Sequence, residues 1–209
     1  MITYLVPAGY GTGEYTEKRS RFIGQIWPVE TEAEALARIA EVKKAHYDAR
    51  HNCFAYIVRE GGVTRYADDG EPQGTAGQPI LSVLSGAELQ NVCCTVTRYF
   101  GGVLLGTGGL VRAYTAAARA ALEQAGVSRM ASWQCMHLSC PYPLFERVKR
   151  LLEEREAIIE ETDFGTDVRF AVLLREDRAE AFTRALTELS AGAVVPEPAE
   201  KRFCGARIR

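Results

Sequence analysis

Residues 98–114 read RYFGGVLLGTGGLVRAY, and this stretch decides how the chain is organised. Five glycines (Gly101, Gly102, Gly106, Gly108 and Gly109) separate an apolar run, Val92 to Phe100, from a strongly helical stretch, Leu110 to Ala125. Glycine weakens helix and strand interiors, so clustering it here predicts a backbone that turns sharply or approaches another segment closely. A glycine loop opening a helix also leaves free N–H groups at the positive end of the helix dipole. Arg98 and Arg112 stand at its two rims, so the loop reads as an anion-accepting surface. Val103-Leu104-Leu105 makes its tip apolar, which a plain connector does not require.

The loop is not a phosphate-binding loop of known spacing. No Lys-Ser/Thr follows the last glycine, and Gly101, Gly106 and Gly109 do not fit G-x-G-x-x-G. The competing reading is a tight strand-to-helix connection with several residues at positive φ.

Upstream, Phe22 to Val29 reads as a strand behind the basic cluster Lys18-Arg19-Ser20-Arg21. Thr31 with Glu34 forms a capping box, and Ala35, Leu36, Ile39 and Val42 give the following helix an apolar stripe ending near His46. Asn52 to Arg59 and Val63 to Ala67 form a hairpin around Gly61-Gly62. Pro79 starts a short helix ending at Gly86, and Val92 to Phe100, uncharged before Arg98, is expected to be a central strand. Thr107 is the expected cap of the helix that carries Leu110, Tyr114, Ala117, Ala118, Ala121 and Leu122 and stops at Gly126.

From about Gln134 the pattern becomes regular. A short strand, Gln134 to Ser139, precedes a helix opened by Pro143. Two strands follow, Ala157 to Thr162 and Val168 to Leu174, then a helix capped by Asp177, with Glu180 three residues on, and closed by Gly192. A last strand spans about Ala199 to Cys204, giving β-α-β-β-α-β, the ferredoxin-like order. The predicted fold class is α+β in two domains, 1–130 and 131–209, with the boundary between Val127 and Gln134.

Composition narrows the function classes. The 209 residues are 47% hydrophobic, enough for proper cores, with a net charge of −2. Residues 1–130 hold 13 Lys+Arg against 13 Asp+Glu, and the remainder 12 against 14, so neither half offers a broad basic field to nucleic acid. No apolar run approaches the roughly 20 residues of a membrane span, and the N-terminal residues lack a signal-peptide pattern, which predicts a cytoplasmic protein without membrane partners. Six cysteines without a C-x-x-C pair predict neither a zinc cluster nor a disulfide framework.

Asp68-Asp69-Gly70-Glu71-Pro72, followed by Gln73-Gly74-Thr75-Ala76-Gly77, is the second candidate segment. Its three carboxylates suit a hard cation in principle, but the spacing is not that of an EF-hand, and a solvated turn or a recognition rim is the better reading. His51, two residues before Cys53 at a strand start, reads either as a packing residue or as a hydrogen-bonding residue of a surface cleft. The candidate binding residues are therefore His51, Asp68, Asp69, Glu71, Thr75, Arg98, Gly101, Gly102, Gly106, Thr107, Gly108, Gly109 and Arg112. No catalytic residue, metal or cofactor is assigned. The glycine loop and 68–77 are expected to line one cleft, with Arg98 or Arg112 at its rim.

Together, RSRFIG (19–24), HNCFAY (51–56), DDGEPQGTAGQPIL (68–81) and RYFGGVLLGTGGLVRAY (98–114) closely resemble the IMPACT/YigZ family. The resemblance covers Ser20 to Ala125 by motif and the C-terminal half by length and pattern. It implies an N-terminal domain like ribosomal protein S5 domain 2 and a C-terminal ferredoxin-like domain. It also implies a role in translation without catalysis, since eukaryotic relatives regulate translation under amino-acid stress by binding a protein. For bacterial members, nucleic-acid or ribosome binding is suggested by fold analogy. The leading expectation is a non-enzymatic, translation-associated protein whose N-terminal cleft meets RNA phosphate, the ribosome or a protein partner. In that reading Arg98, Arg112 and the amides of Gly106 to Gly109 supply the anion contacts. The alternative is a small-molecule enzyme or phospho-ligand binder using the same cleft, with His51 or the Asp68-Asp69-Glu71 group as acid, base or metal anchor.

Overall fold

In a computed structural model that describes residues 3–208, the chain is α+β and divides into two compact units, one from Tyr4 to Arg129 and one from Met130 to Ala206. No described helix is long and apolar enough to cross a membrane.

The N-terminal unit is built on an antiparallel sheet. Its strands are β2 (Gly11–Glu17), β3 (Ser20–Pro28), β4 (His51–Val58), β5 (Val63–Ala67) and β6 (Val92–Tyr99), in the order β2-β3-β6-β4-β5. A further strand, β1 (Tyr4–Pro7), lies outside this sheet. β1 and β2 were not read from the sequence, because GTGEYTE has neither the apolar alternation nor the β-branched content of a strand. β2 is a strand because its glycines admit a helix: a Cβ on Gly13 would stand 2.5 Å from the Ala120 side chain.

Both faces of this sheet are covered, which explains why β6 is buried without alternation from Val92 to Arg98. On one face, α2 (Gly77–Gly86) and α3 (Gly106–Ala125) pack on Phe22, Ile26, Cys53, Ala55, Cys94 and Val96. On the other, α1 (Glu32–Ala45) sets Ala35 and Ile39 against Val29, Tyr56, Val58 and Cys93. Thr31 caps α1, its Oγ1 accepting from the Glu34 amide at 3.2 Å, while the Glu34 carboxylate reaches back to the Glu30 amide at 2.8 Å. Gly126 ends α3 at φ 72°, its amide bonding to the Leu122 carbonyl.

The C-terminal unit is built from most of β7 (Val127–Cys140), α4 (Phe145–Glu154), β8 (Ile158–Phe164), β9 (Val168–Arg175), α5 (Ala179–Ser190) and all but the last residue of β10 (Glu197–Arg207). β7 pairs with β9 and β10, and β8 pairs with β9, so the four strands lie in the ferredoxin-like order β10-β7-β9-β8. Val148, Leu152, Phe182 and Leu186 of the two helices cover Met136, Leu138, Phe170 and Val172. Three local expectations differ from the structure. β7 begins at Val127 and not Gln134, so no loop separates the units; partner strands extend it past the point where its own pattern is clear. Pro143 lies in a 3-10 turn, Tyr142–Leu144, ahead of α4. Asp177 lies in a second such turn and pairs with Arg175, so it does not cap α5.

Candidate functional site

The register of the N-terminal sheet brings the two singled-out loops to one edge. His51, at the start of β4, is paired with Arg98, near the end of β6, and Phe54 is paired with Ala67, the last residue of β5. The segments 68–77 and 100–105 therefore leave the same end of the sheet, and α2 and α3 begin there. Between them lies a cleft of about 460 Å³. His51, Glu71, Arg98, Gly106 and Thr107 line it, joined by Arg50, Phe100, Leu104, Leu105 and Leu110.

The acidic segment is held by its own carboxylates. Asp68 accepts from the amides of Gly74 (2.8 Å), Ala76 (3.0 Å) and Gly77 (2.8 Å), fixing the entry to α2. Asp69, in the left-handed region at φ 46°, accepts from Lys43 Nζ at 2.8 Å and the Asn52 amide at 2.7 Å. Burial alone would raise its carboxyl; the bonds from Lys43 and Asn52 outweigh that and hold it below the ordinary value. Thr75 Oγ1 donates to the Pro72 carbonyl at 2.7 Å. Asp68, Asp69 and Thr75 thus shape the loop, and none of the three lines the cleft. The three carboxylates bind different partners, and no described group of His, Cys, Asp and Glu is arranged to hold a metal ion.

Glu71 is different. Its side chain is 3% exposed and points inward, where Oε1 accepts from Arg98 Nη1 at 2.6 Å and from the Tyr114 hydroxyl at 2.8 Å. Tyr114 in turn accepts from Cys53 Sγ at 3.4 Å. Burial pushes both the Cys53 thiol and the Tyr114 hydroxyl up, so each keeps its proton and serves as a donor. The Arg98 side chain is 6% exposed, with its guanidinium 5.4 Å from the Phe22 ring centroid and 5.5 Å from that of Phe100. Its Nε is buried without a hydrogen-bond partner among the described residues. His51 completes the floor. Nδ1 lies 2.7 Å from the Asp69 carbonyl, which only accepts, so that nitrogen carries the proton. Nε2 lies 3.8 Å from Glu71 Oε1.

The glycine loop uses its five glycines for separate reasons. Gly101 sits so close to the β2–β3 turn that a Cβ would fall 2.1 Å from the Arg19 carbonyl carbon, and its amide bonds to Ser20 Oγ at 3.1 Å. Gly102 and Gly106 hold φ values of 83° and 70°. Gly108 and Gly109 lie in the first turn of α3 at ordinary φ and do not line the cleft. Thr107 is inside the helix and does not cap it. The cap position is Leu105, in helical conformation and with no side-chain bond to the first-turn amides. The cause is the tight Gly106 turn, which starts the helix two residues earlier than a Thr107 cap permits. Arg112 is exposed and also stands outside the cleft, leaving Arg98 as the rim arginine of the two that reaches it. At the tip, Leu104 is 82% exposed, with Val103 and Phe100 also at the surface.

Sequence reasoning did not single out Arg50, Phe100, Leu104, Leu105 and Leu110 as lining residues, nor Tyr114 as a polar partner. Arg50 adjoins His51, but only the β4–β6 register places it at the cleft. Tyr114 lies on the apolar stripe of α3, which hides the reach of its hydroxyl.

The model of the Impact N-terminal domain matches residues 18–122, which include every residue lining this cleft. The chain belongs to the IMPACT family. A second model, for a domain of unknown function, DUF1949, matches residues 138–193 in the C-terminal unit. IMPACT family member YvyE of Bacillus subtilis is 38% identical over 191 residues, 91% of this chain and 88% of that protein. IMPACT family member YigZ of Escherichia coli is 34% identical over 197 residues, 93% and 97% of the two chains. A crystal structure of a hypothetical protein, 33% identical, superposes with a TM-score of 0.59 over 96% of this chain and 98% of its own. The matches to YvyE and YigZ span both units of this chain.

Proposed function

We propose that this IMPACT family member is a non-enzymatic, cytoplasmic regulator of translation that binds a partner in the ribosomal apparatus through the cleft of its N-terminal unit. The observation that carries the reading is the mixed character of the cleft mouth. Leu104, 82% exposed, stands with Phe100 beside Arg50 and the uncapped start of α3. Phe100, Val103 and Leu104 are exposed together on one loop, and it is grouped apolar exposure of this kind that supports an interaction surface. Lys18 and Arg19, exposed at the β2–β3 turn against which Gly101 packs, extend the basic border of that surface. A protein surface supplies apolar contact and acidic groups together, so it fits this mouth better than a bare phosphate backbone. The resemblance of the N-terminal motifs to eukaryotic translation regulators directs the partner toward translation.

Co-sedimentation with ribosomal particles tests this reading. The wild-type chain is expected to travel with particles at 50 mM salt, and the double variant Leu104→Asp, Arg50→Ala to remain in the supernatant. A wild-type chain that never associates, and leaves cell-free translation unchanged at saturating concentration, would refute the role.

A second reading, a small-molecule enzyme, rests on one observation: His51 is held with its proton on Nδ1, leaving Nε2 beside the cleft as a base. Turnover by the purified protein that vanishes in His51→Gln would favour it over the binding role.

A further inference from the structure

We propose that the cleft of the N-terminal unit recognises a carboxylate carried on an apolar segment of its protein partner. The proposal rests on the partner-binding role above and gives it a ligand chemistry. Three observations converge on the same floor.

The first is Arg98. Of five guanidinium N–H donors, the described residues engage one, from Nη1 to Glu71, and Nε has no partner although the side chain is more than nine-tenths buried. Two aromatic rings hold the group in place, so its remaining donors are fixed before any ligand arrives. Nε is closed off by the packing around it, so the donors that an acceptor entering the cleft can meet are those of Nη1 and Nη2 that Glu71 leaves free.

The second is the start of α3. Gly106 and Thr107 line the same cleft, and they open a 20-residue helix that has no side-chain cap, at the positive end of its dipole. Arg98 is on β6 and these residues are on α3, so the two donor sets are independent in the fold.

The third is the charge. Glu71 neutralises Arg98 at 2.6 Å, so the permanent surplus positive charge among the lining residues is that of Arg50. A doubly charged phosphate monoester would meet the Glu71 carboxylate with too few cations to offset it. A carboxylate brings one charge and two oxygens in a plane that suits an arginine fork. The walls fit what must accompany it. Phe100, Leu104, Leu110 and Pro72 are apolar and receive an aliphatic side chain next to the acid.

Amide NMR spectra of the full chain test the assignment, with N-acetyl-leucine, N-acetyl-leucinamide, inorganic phosphate and an unstructured hexaribonucleotide as probes. N-Acetyl-leucine is expected to shift the Gly106 and Thr107 amides at millimolar concentration, and the amide analogue, lacking the carboxylate, to leave them in place. Arg50→Ala and Leu104→Ser, both surface changes that spare the fold, are each expected to weaken that binding about three- to tenfold. Equal shifts from the acid and its amide would overturn the proposal, and so would stronger shifts from phosphate or the hexaribonucleotide than from N-acetyl-leucine. Particle association that persists while the acid fails to bind removes the carboxylate assignment alone. Binding of the acid without particle association keeps the ligand chemistry and removes the ribosomal role.

Discussion

Glu71 Oε1 and Arg98 Nη1 lie 2.6 Å apart beneath the cleft, and both side chains are more than nine-tenths buried. One residue comes from an irregular loop and the other from the central strand, so the pair fixes the loop to the sheet. Paired charges of this kind contribute little net stability against an apolar pair, but removing one partner strands the other. We expect Glu71→Ala to lower the unfolding free energy by about 3–5 kcal/mol. Urea denaturation checks this, with Glu71→Leu combined with Arg98→Met as the control. The double variant should recover most of the loss; if it is no more stable than the single one, the pair is not the cause.

Gly101 and Gly106 are expected to respond differently to alanine. At Gly101 the new Cβ would overlap the Arg19 backbone, which cannot move without opening the β2–β3 turn. At Gly106 the space is open and the difficulty is φ 70°. Gly106→Ala should cost about 1–2 kcal/mol of backbone strain. Gly101→Ala should cost about 1–3 kcal/mol from overpacking and also displace the loop. Denaturation midpoints together with the amide shifts of residues 100–107 separate the two, and a Gly101→Ala spectrum identical to wild type outside the substituted residue contradicts the close-packing account.

The Asp69 carboxyl gives the N-terminal unit an acid limit. Its folded value lies below its unfolded one, because Lys43 and the Asn52 amide favour the charged form more than burial disfavours it. A depressed carboxyl contributes stability that is complete above the unfolded value, about 4, and is lost as the pH falls through the folded value. Wild-type stability should therefore drop more steeply below pH 4 than that of Asp69→Asn. Parallel pH profiles for the two chains would show that Asp69 carries no such linkage.

The six cysteines are free and differ in burial. Burial pushes the Cys53 and Cys94 thiols up, and Cys93 up to about 12. At pH 8 these three hold almost no thiolate, so iodoacetamide should leave them unmodified in the native protein. Cys204, only partly buried, is expected to react first. Mass spectrometry after timed alkylation tests the order, and early labelling of Cys53 would contradict the closed floor of the cleft.

Local rules determined much of this molecule. The Thr31 capping box, the Gly126 stop and the apolar run of β6 each depend on neighbours a few residues away, and short-range chemistry is written in consecutive letters. The same holds for the β-α-β-β-α-β order of the C-terminal unit, except where partner strands lengthened β7 beyond its own pattern. Tertiary structure alone decided what each site residue does. Asp68, Asp69 and Glu71 stand within four residues of one another and look equivalent in sequence, yet two hold a loop together and the third neutralises an arginine 27 residues away. Tyr114 follows the apolar period of α3 and still supplies a hydroxyl to that carboxylate. The physical reason is that a charged side chain acquires its role from what neutralises or solvates it, and those partners arrive through strand register and helix packing, which act across sequence separations that no local pattern records.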